Sequence, residues 1–524
     1  MGARTPPAWA VHLPPGVDPD RLDLLAEGSL PAAWARRWAA DPGRAALHMP
    51  PRGWVTRGEL EVASRRVAGR LHAAGLRRGD RVLCSAATSL ELVEAHLAAL
   101  RLGLVVVPVN TAYREREVAH IVRDAEPRAA IVDDPERGGW VRRAATAGRA
   151  AEVLVVDPRV ALPGGDAAAL DRLGPGDPAL LCYTSGTTGA PKGALLSHGN
   201  VLAGAASVRL AWRWDADDRL VLALPLFHVH GLAVGLHGTL LAGGSALLFA
   251  RFDVDELLDA AEEQQATLLF GVPTMYARLA GSPRVGELAR LRLCVSGSAP
   301  LPPSLFELLA DRAGQRVLER YGMSETLMNV SNPYQGERRP GTVGLPLPGV
   351  ELRLAPLAED AAAADADVDA AEGGRAGEVL VRGPNVFAGY WRRPDATAAA
   401  FDPDGWFRTG DLGRFDDRGY LRLEGRAKEL IITGGLNVYP REVEEVLLGH
   451  PGVAEVAVAG RPDPEWGERV VAFVVPAGEP PPTAELLAWA AERLAPFKRP
   501  REVCYLERLP RNALGKVLKH ELTT

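Results

Sequence analysis

The stretch Tyr183-Thr-Ser-Gly-Thr-Thr-Gly-Ala-Pro-Lys192-Gly193 lies between the apolar run Pro178-Ala-Leu-Leu-Cys-Tyr183 and the segment Ala194-Leu-Leu-Ser-His-Gly-Asn200. The apolar run predicts a short buried strand, and the later segment predicts a strand end that runs into a helix. The glycines between them let the backbone curl so that successive N–H groups point at one anion. Hydroxyl side chains and Lys192 add donors, although the spacing differs from that of the common P-loop. The stretch therefore predicts a phosphate-binding loop, with a polar surface turn as the alternative.

The composition is that of an ordinary globular protein. The chain has 524 residues, which is too long for one hydrophobic core and suggests roughly two to four domains. Hydrophobic residues make up 47% and charged residues 24%, and the net charge is −6. No overall basic field favours nucleic acid or an anionic membrane. We therefore expect small-molecule partners bound at local sites, with no nucleic acid and no membrane, in a monomer or small homo-oligomer.

Cysteine usage and the N-terminal residues predict a cytoplasmic protein. The cysteines lie far apart in apolar contexts and form neither a disulfide framework nor a metal-ligand spacing; they are Cys84, Cys182, Cys294 and Cys504. The segment Met1-Gly-Ala-Arg-Thr-Pro-Pro7 has no continuous apolar run, so no secretory signal is expected. The apolar region 220–250 contains Pro225, three histidines and several glycines, which a spanning helix rarely tolerates. This region predicts buried strands and a core helix.

Alternating patterns predict the fold of the N-terminal part. Residues with helical spacing alternate with continuous apolar runs between residues 31 and 130; the helical segments are 59–74, 90–102 and 115–124, and the apolar runs are 80–85, 104–109 and 129–133. The same alternation returns over residues 219–296. Continuous apolar strands between helices predict a mostly parallel sheet covered on both faces, which is an α/β fold.

The C-terminal part has a different pattern. From about residue 341, short β segments between Gly and Pro turns predict a small antiparallel, barrel-like β portion. Its segment 358–374 is rich in Ala, Asp and Glu without apolar periodicity, and predicts a surface loop. A boundary near Gly425 divides the chain into an N-terminal core, residues 1–425, and a small mobile α+β domain, residues 426–524. The small domain is predicted to have helices over 440–448 and 483–494 and strands over 453–459, 470–475 and 502–506.

Six clusters along the chain together resemble one enzyme superfamily. They are Tyr183 to Gly193 (quoted above), Leu224-Pro-Leu-Phe-His-Val-His-Gly-Leu232, Tyr321-Gly-Met-Ser-Glu-Thr326, Gly405-Trp-Phe-Arg-Thr-Gly-Asp411, Gly425-Arg-Ala-Lys-Glu-Leu-Ile-Ile-Thr-Gly-Gly435 and Pro510-Arg-Asn-Ala-Leu-Gly-Lys516. In this order they resemble the motifs of the adenylate-forming superfamily, which includes acyl-CoA synthetases, luciferases and the adenylation domains of peptide synthetases. The resemblance extends from about residue 30 to the end of the sequence.

The resemblance implies a reaction in two halves. A carboxylate attacks the α-phosphorus of ATP to give an acyl-adenylate and pyrophosphate, and the thiolate of coenzyme A then attacks the acyl carbonyl and expels AMP. Both halves depend on charge neutralisation and positioning more than on covalent help from the protein. The expected cofactors and co-substrates are Mg²⁺, ATP and coenzyme A.

The resemblance also implies a nucleotide site. The expected ATP- and AMP-binding residues are Thr184, Ser185, Gly186, Thr187, Thr188, Gly189, Lys192, Tyr321, Gly322, Met323, Ser324, Thr326, Asp411 and Arg426. The loop would hold the β- and γ-phosphates, Tyr321 and Gly322 would face adenine, and Asp411 with Arg426 would bind ribose. Glu325 and Thr184 are the expected Mg²⁺ ligands, because a hard cation prefers oxygen. Considered singly, Ser324 and Asp411 could instead be helix N-caps, and Arg426 could belong to a surface pair.

Three further residues are expected to act in catalysis. Lys516 would bridge the attacking carboxylate and the α-phosphate, the alternative being an ordinary exposed lysine. Lys428 matches the hinge about which the small domain rotates between the half reactions. That rotation would replace Lys516 with a thioester-forming loop at Gly434 and Gly435. Glu325 completes the expected catalytic set through the metal.

Two stretches indicate which acid is used. The segments from Tyr321 to Gly344 and from Phe270 to Arg278, with Ser296-Gly-Ser298, resemble the malonyl-CoA synthetase branch. In that branch the residues matching Arg278 and Ser298 hold the second carboxylate of malonate. A guanidinium pairs bidentately with a carboxylate that would otherwise be buried without a counter-charge. The alternative for Arg278 is a helix residue that reaches into solvent.

His228 is the third candidate for the acyl site. The resemblance implies that it lines the acyl group and moves to admit pantetheine; the alternative is a hydrogen-bonded core histidine, as we expect for His230 and His237. We predict malonate, and then methylmalonate, as the best substrates, with acetate, octanoate and benzoate poor. The competing functions are a CoA ligase for another short-chain or aromatic acid, an enzyme that loads a carrier protein, a non-catalytic nucleotide-binding regulator and a luciferase-like oxygenase.

Overall fold

The computed structural model describes residues 7–148, 153–159, 169–184, 191–356, 376–433, 436–464, 466–512 and 515–522. The predicted surface loop 358–374, the loop residues Ser185, Gly186, Thr187, Thr188 and Gly189, and Gly434 and Gly435 lie outside the described residues. Packing divides the chain into a larger unit, residues 1–351 and 381–407, and a smaller unit, residues 352–380 and 408–524. The predicted division at residues 425 and 426 stays a prediction, because packing density does not report which segment can rotate.

The larger unit contains alternating helices and strands. Its helices are α1 (Leu30–Ala40), α2 (Arg57–Ala73), α3 (Leu90–Arg101), α4 (Glu115–Ala125), α5 (Pro135–Ala147), α6 (His198–Ala211), α7 (His237–Ala242), α8 (Val254–Glu263), α9 (Pro273–Gly281), α10 (Pro303–Ala313) and α11 (Pro394–Ala400). Its strands are β1 (Ala45–Met49), β2 (Gly53–Thr56), β3 (Arg81–Ser85), β4 (Val105–Pro108), β5 (Ala129–Val132), β6 (Leu154–Val156), β7 (Pro178–Thr184), β8 (Lys192–Ser197), β9 (Arg219–Leu222), β10 (Ser245–Leu248), β11 (Leu268–Gly271), β12 (Leu293–Ser296), β13 (Leu318–Tyr321), β14 (Val330–Ser331), β15 (Leu345–Pro346) and β18 (Gly389–Tyr390).

The remaining elements belong mainly to the smaller unit. Its helices are α12 (Pro440–Leu448) and α13 (Thr483–Ala491). Its strands are β16 (Glu351–Ala355), β17 (Gly377–Arg382), β19 (Phe407–Phe415), β20 (Leu421–Arg426), β21 (Ile431–Thr433), β22 (Leu436–Val438), β23 (Val453–Asp463), β24 (Gly467–Pro476) and β25 (Glu502–Tyr505).

The strands of the larger unit form two mixed, mostly parallel sheets. One has the order β18-β8-β7-β4-β3-β5-β6, and the other has the order β15-β14-β13-β12-β11-β9-β10-β1-β2. The pairs of β3 with β4, β4 with β7, β11 with β12 and β12 with β13 are parallel. These strands are continuous apolar runs because helices cover both faces, and Leu83, Val107 and Leu181 are fully buried against α4 and α5. The α/β prediction is confirmed.

The parallel pairing fixes where the motif residues emerge. Neighbouring parallel strands deliver the segments that follow their carboxyl ends to one edge of the sheet. The segments after β11, β12 and β13 are the start of α9, the turn at Ser298 and the turn from Gly322 to Thr326. The candidate acyl and nucleotide residues of the larger unit therefore share an edge of the sheet.

The smaller unit contains two sheets. Strands β16, β17, β19 and β20 form one, in which β19 and β20 are antiparallel. The other has the order β22-β21-β24-β23, with β25 parallel to β24. Helices α12 and α13 cover the second sheet through Val443, Leu447 and Leu486. The predicted helix over 440–448 is confirmed, and the predicted helix over 483–494 ends earlier, at Ala491.

Three expectations of local structure can be compared directly with the fold. The region 220–250 forms β9, a π-helix over His230–Leu236, α7 and β10, as predicted. Within the described ranges, no helix combines the length and the apolar character needed to cross a membrane. The N-cap alternatives are wrong: Ser324 lies in a turn without a helix, and Asp411 lies inside β19, where its neighbours pair with β20.

Candidate active site

The described ends of the predicted phosphate loop are held at a strand pair. Thr184 at the end of β7 is in register with Lys192 at the start of β8. Helix α4 contacts both ends: the Tyr183 hydroxyl donates to Asp124 Oδ2 at 2.6 Å, and His120 Nε2 lies 2.9 Å from the carbonyl oxygen of Pro191. The backbone entering and leaving the loop is therefore fixed by side chains of one helix.

Glu325 lies in a tight turn at the carboxyl end of β13. The turn requires glycine at Gly322, because a Cβ there would lie 1.8 Å from the carbonyl oxygen of Leu327. The Thr326 amide donates to the carbonyl of Met323 at 3.2 Å, and Asn329 Nδ2 donates to Thr326 Oγ1 at 2.8 Å. Glu325 is only 5% exposed. The turn thus holds a carboxylate in a fixed position beside Ser324.

Tyr390 connects Glu325 with Lys192, and it was not predicted as a site residue. Its hydroxyl donates to Glu325 Oε1 at 3.0 Å, and Lys192 Nζ lies 5.0 Å from the centre of its ring. The structure therefore brings two of the expected site residues to one tyrosine, with Glu325 at its hydroxyl and Lys192 at its ring. The aromatic cluster Gly389-Tyr390-Trp391 was the available signal.

His228 and Ser324 line one small cleft in the larger unit. The cleft also contacts Asn110, Cys182 and Phe227. Burial lowers the pKa of His228 to about 4, so the imidazole is neutral near pH 7 and one ring nitrogen can accept a hydrogen bond. The expected acyl residue His228 thus lies beside an expected nucleotide residue, Ser324.

The turn that carries Ser298 packs on the buried guanidinium of Arg320. The backbone of Ser298 has a φ of +69°, and its hydroxyl oxygen lies 3.2 Å from Nδ1 of His230. A Cβ on Gly297 would lie 2.3 Å from Cζ of Arg320, so this turn rests directly on the guanidinium. Arg320 is 3% exposed, and its Nε and Nη2 have no hydrogen-bond partner within the part of the chain that the structure describes.

The buried charge around Ser298 favours an anion nearby. Burial lowers the pKa of Arg320 to about 9, with nearby Glu319 opposing the shift. Burial and the charge of Arg320 lower the pKa of His230 well below its ordinary value. His230 Nε2 and Ser296 Oγ also have no hydrogen-bond partner among the described residues. A buried positive charge without hydrogen-bonded compensation is costly, so an incoming anion would be stabilised here.

Arg278 lies on α9 with an exposed side chain. Its helix begins at the shared sheet edge, and Arg278 lies in the last turn of that helix. The expectation that Arg278 binds the spectator carboxylate stays a prediction. The buried Arg320 was not anticipated, although an arginine within the segment Val317-Leu-Glu-Arg-Tyr321 was the visible signal.

Asp411 and Arg426 are partners in the smaller unit. They are in register across β19 and β20, and Arg426 Nε lies 2.7 Å from Asp411 Oδ1. The Asp411 side chain is 10% exposed and that of Arg426 is 31% exposed. The pair is therefore neither a helix cap nor a fully exposed surface pair, and it presents a carboxylate in a fixed orientation.

Lys516 lies in a compact turn of the same unit. The Lys516 amide donates to Asn512 Oδ1 at 3.0 Å, and the Asn512 amide donates to the Lys516 carbonyl at 2.9 Å. The residue is exposed at the surface, but nearby protein atoms partly desolvate its ammonium group. This desolvation lowers the pKa of Lys516. The charge of Arg426 lowers it further, while Asp411 and Glu429 oppose the shift. The structure thus brings Lys516 into electrostatic range of the Asp411–Arg426 pair.

Lysine usage supports the choice of Lys192, Lys428 and Lys516. Lysine and arginine together number 60, but the only lysines are Lys192, Lys428, Lys498, Lys516 and Lys519. Lys498 and Lys519 pair with Glu442 and Glu444, both at 2.7 Å. Lys428 lies in an exposed single turn, Ala427–Glu429, between β20 and β21. In a chain that otherwise uses arginine, three of the five lysines stand in the motifs.

The residues present fit Mg²⁺ better than a transition metal. Among the described residues, no group of three or more His, Cys, Asp or Glu side chains is arranged to hold a metal ion. Glu325 offers one buried carboxylate and Thr184 offers a hydroxyl. Mg²⁺ is commonly held by one or two carboxylates together with substrate phosphates, so a sparse oxygen set is suitable.

Two family models together match most of the chain. Residues 34–391 match the AMP-binding enzyme family, and residues 442–516 match the AMP-binding enzyme C-terminal domain. Feruloyl-CoA synthase from Amycolatopsis sp is 39% identical over 481 residues, covering 89% of this chain and 93% of that protein. Sulfoacetate–CoA ligase from Cupriavidus necator is 37% identical over 516 residues, covering 96% and 98%. Mitochondrial malonate–CoA ligase from Mus musculus is 40% identical over 374 residues, covering 66% and 64%.

Solved structures agree with these matches. ATP-bound MatB from Rhodopseudomonas palustris has a TM-score of 0.87 and 40% identity, covering 94% of this chain and 98% of that chain. A malonyl-CoA ligase with methylmalonyl-CoA and AMP bound has a TM-score of 0.63 and 44% identity, covering 89% and 97%. o-Succinylbenzoate CoA synthetase from Bacillus subtilis, solved with ATP and magnesium, has a TM-score of 0.81 and 33% identity, covering 94% and 98%.

The chain belongs to the AMP-binding enzyme family, which confirms the resemblance to adenylate-forming enzymes. It is an adenylate-forming, AMP-producing acid–CoA ligase. The relatives are named for feruloyl, sulfoacetate and malonate chemistry at similar identity. The family therefore defines the reaction class, and the acid must be inferred from the pocket.

Proposed function

We propose that the chain ligates malonate, and less efficiently methylmalonate, to coenzyme A through an acyl-adenylate, with Mg²⁺ and ATP. The observation that carries the proposal is the buried Arg320 guanidinium beneath Ser298. A dicarboxylate presents one reacting and one spectator carboxylate. The spectator carboxylate would compensate Arg320 and accept from the Ser298 hydroxyl, with Arg278 covering it from the exposed side.

An apolar acid would leave this pocket unsatisfied. With an alkyl or aryl group against Ser298, the Arg320 guanidinium stays buried without a hydrogen-bonded counter-ion, which costs several kcal/mol relative to a paired state. A site built around a buried charge rejects analogues that lack the complementary group more strongly than a hydrophobic pocket rejects an extra methylene. This asymmetry supports malonate over acetate, octanoate or benzoate.

The nucleotide roles follow from the positioned side chains. We propose that Lys192, with the loop residues around it, neutralises the β- and γ-phosphates, and that Ser324 and Thr326 donate to phosphate oxygens. Glu325 and Thr184 would hold Mg²⁺, which when bound neutralises negative charge on the phosphates. Asp411 would accept from the ribose hydroxyls while Arg426 fixes its orientation, and Tyr321, Gly322 and Met323 would contact adenine.

Lys516 and Lys428 are proposed to serve the two half reactions. The Lys516 ammonium would stabilise the charge that develops between the attacking carboxylate oxygen and the α-phosphate. Lys428 would absorb the dihedral change when the segment 426–524 rotates to bring Gly434 and Gly435 to the thioester-forming position. We further propose that the protein acts in the cytoplasm as a monomer or small homo-oligomer, with no carrier protein required.

An aromatic acid is the second candidate, and one specific observation favours it. A second, small cavity is apolar and shares Pro108 and Phe227 with the cleft that contains His228. Its lining includes Cys84, Val93 and Leu236. If Phe227 moved, an aryl group attached to the reacting carboxylate could extend into this cavity. A feruloyl-type substrate would then use the apolar cavity and leave Arg320 without a partner.

The product of the reaction tests the proposal. Purified protein is incubated with ATP, Mg²⁺, coenzyme A and either malonate or ferulate, and the thioesters and AMP are quantified by mass spectrometry. Malonyl-CoA and AMP are expected in equal amounts, each dependent on all four reactants. Arg278→Ala should raise the malonate KM far more than the ATP KM. Feruloyl-CoA as the dominant product would refute the assignment of the acid and favour the second candidate.

A further inference from the structure

Tyr390 belongs to a segment that is hydrogen-bonded both to the turn of Glu325 and to strand β8. On one side, Phe387 N donates to the carbonyl of Glu325 at 2.8 Å, and Asn385 Nδ2 donates to the carbonyl of Thr326 at 2.6 Å. On the other side, β18 pairs antiparallel with β8. We call residues 385–391 the strap. It joins the turn that carries Glu325 to the strand that begins with Lys192.

The strap fixes the position of the Tyr390 side chain. The Tyr390 amide donates to Thr397 Oγ1 at 2.9 Å, and the ring packs against the buried Phe387 ring with centroids 4.9 Å apart. Gly389 has a φ of +150°, and a Cβ there would lie 2.5 Å from Thr397 Cγ2. Only glycine therefore lets the backbone before Tyr390 pack this closely against Thr397. These contacts therefore hold the Tyr390 ring and its hydroxyl in a fixed position.

The two contacts of Tyr390 act on different groups. The hydroxyl donates to Glu325 Oε1 at 3.0 Å, which orients a buried carboxylate and favours its ionised form. The ring face lies 5.0 Å from Lys192 Nζ, where its quadrupole attracts the cation. Lysine has a long flexible side chain, so this contact restricts the positions that its ammonium group can take.

We propose that Tyr390 is a positioning residue that sets the Glu325 carboxylate for Mg²⁺ and the Lys192 ammonium for the β- and γ-phosphates. This inference rests on the proposed nucleotide roles of Glu325 and Lys192. Tyr390 acts through these two groups and does not itself react. The hydroxyl governs the metal contact, and the ring governs the phosphate contact, so the two effects are separable by substitution.

Two substitutions separate the effects. Tyr390→Phe removes the hydroxyl and keeps the ring, while Tyr390→Leu removes both. Trp391→Phe is the matched control: it removes another strap hydrogen bond, from Trp391 Nε1 to the carbonyl of Asp124 at 3.1 Å, without touching Glu325 or Lys192. Thermal unfolding of each variant establishes that it is folded.

The readout is binding without turnover. Mn²⁺ binding is followed by electron paramagnetic resonance in the presence of α,β-methylene-ATP, and binding of the metal-free analogue is followed by calorimetry. Tyr390→Phe should weaken Mn²⁺ about tenfold, the effect typical of losing a group that orients a metal ligand, with metal-free binding unchanged. Tyr390→Leu should weaken both, and Trp391→Phe should weaken neither.

The outcomes also separate this inference from the proposed function. If the wild-type protein binds Mn²⁺ with the analogue and Tyr390→Phe binds it equally well, the positioning role is wrong while the site assignment stands. Equal losses in Trp391→Phe and Tyr390→Phe would show that the strap merely supports the fold. If the wild-type protein binds neither metal nor analogue, the proposed nucleotide site itself is wrong.

Discussion

The Ser298 hydroxyl oxygen lies 3.2 Å from Nδ1 of His230, and the turn that carries Ser298 rests on the guanidinium of Arg320. His230 and Arg320 are both buried, and each has side-chain nitrogens without a hydrogen-bond partner among the described residues. A structure optimised only for stability would not retain such a group, because an apolar side chain of similar volume would avoid the desolvation of the charge. Under the proposed function, this relationship would determine the choice of acid.

Replacing Arg320 should separate stability from specificity. Arg320→Met is expected to raise the malonate KM about 30-fold, corresponding to the loss of about 2 kcal/mol of charged hydrogen bonding, with the ATP KM nearly unchanged. Its urea midpoint should be equal to or higher than that of the wild-type protein, since an uncompensated buried charge is removed. Steady-state kinetics and urea unfolding provide the two measurements.

Arg292→Met is the matched control for this substitution. Arg292 donates from Nε to Asp218 Oδ1 at 2.6 Å, and the Asp218 side chain is 4% exposed. Removal of this arginine leaves a buried carboxylate unpaired, so stability should fall while the malonate KM stays the same. If Arg320→Met lowered stability in the same way and left the malonate KM unchanged, Arg320 would be a structural arginine.

The lowered pKa of Lys516 predicts the alkaline limit of adenylation. Desolvation and the charge of Arg426 favour the neutral amine, so the ammonium form is lost at a lower pH than for an ordinary lysine. Malonate-dependent exchange of pyrophosphate into ATP should therefore decline on the alkaline side before pH 10.5, the ordinary lysine value. Lys516→Arg should be slower but should decline only at higher pH, because a guanidinium remains charged. An unchanged alkaline limb in Lys516→Arg would contradict the assignment.

Buried histidines predict loss of stability in mild acid. Burial lowers the pKa of His198 to about 4 from 6.5, and neither ring nitrogen has a hydrogen-bond partner in the described part of the chain. The unfolded state binds the proton first as pH falls below 6.5, so stability declines from there down to about pH 4. One such histidine contributes a slope of about 1.4 kcal/mol per pH unit.

His198→Leu should remove the contribution of one histidine to the pH dependence of the free energy of unfolding. Urea unfolding at several pH values between about 7.5 and 5 should show little difference above pH 6.5 and, below it, a slope lower by up to about 1.4 kcal/mol per pH unit than in the wild-type protein. His520→Gln, which replaces a side chain that is 73% exposed, controls for the loss of a histidine. A slope identical to that of the wild-type protein would mean that His198 is protonated in the folded protein.

Lys428→Pro tests the hinge. Proline fixes φ, so the single turn between β20 and β21 could no longer change its dihedral angles. We expect malonate-dependent pyrophosphate exchange to persist within about threefold, because the adenylation step takes place before the rotation. Malonyl-CoA formation, which needs the rotation, should fall by about 100-fold or more. Loss of pyrophosphate exchange together with thioester formation would show that the substitution damages the adenylation site instead.

The α/β layers could be predicted from the sequence because apolar strands and helices each have a local pattern. Apolar runs and helical spacing involve residues that are close in sequence, and the observed bounds of α12 equal the predicted ones. Tyr390 could not be predicted in the same way, since its contact with Glu325 joins residues separated by 65 positions. Such contacts depend on which strands become neighbours, and here β18 pairs with β8 across a long connection.

Arg320 shows a second limit of sequence reasoning. It lies in a strand of four buried residues. From sequence alone, an arginine in that position is expected to extend its charged end into solvent. Only the packing of Gly297 against its Cζ shows that it is enclosed. The exposed Arg278 was easier to select because it matched a motif, although its side chain faces solvent in the folded chain.

The ratio of kcat/KM for malonate to that for ferulate in the CoA-ligation reaction tests the central claim most directly. Both acids are measured with the same wild-type preparation, at saturating ATP, Mg²⁺ and coenzyme A, by release of AMP. The pocket around Arg320 predicts a ratio of about 100 or more, because a spectator carboxylate compensates the buried guanidinium and a phenyl-propenoyl group does not. A ratio below one would contradict the assignment of malonate and would indicate that the apolar cavity beyond Phe227 selects the acid.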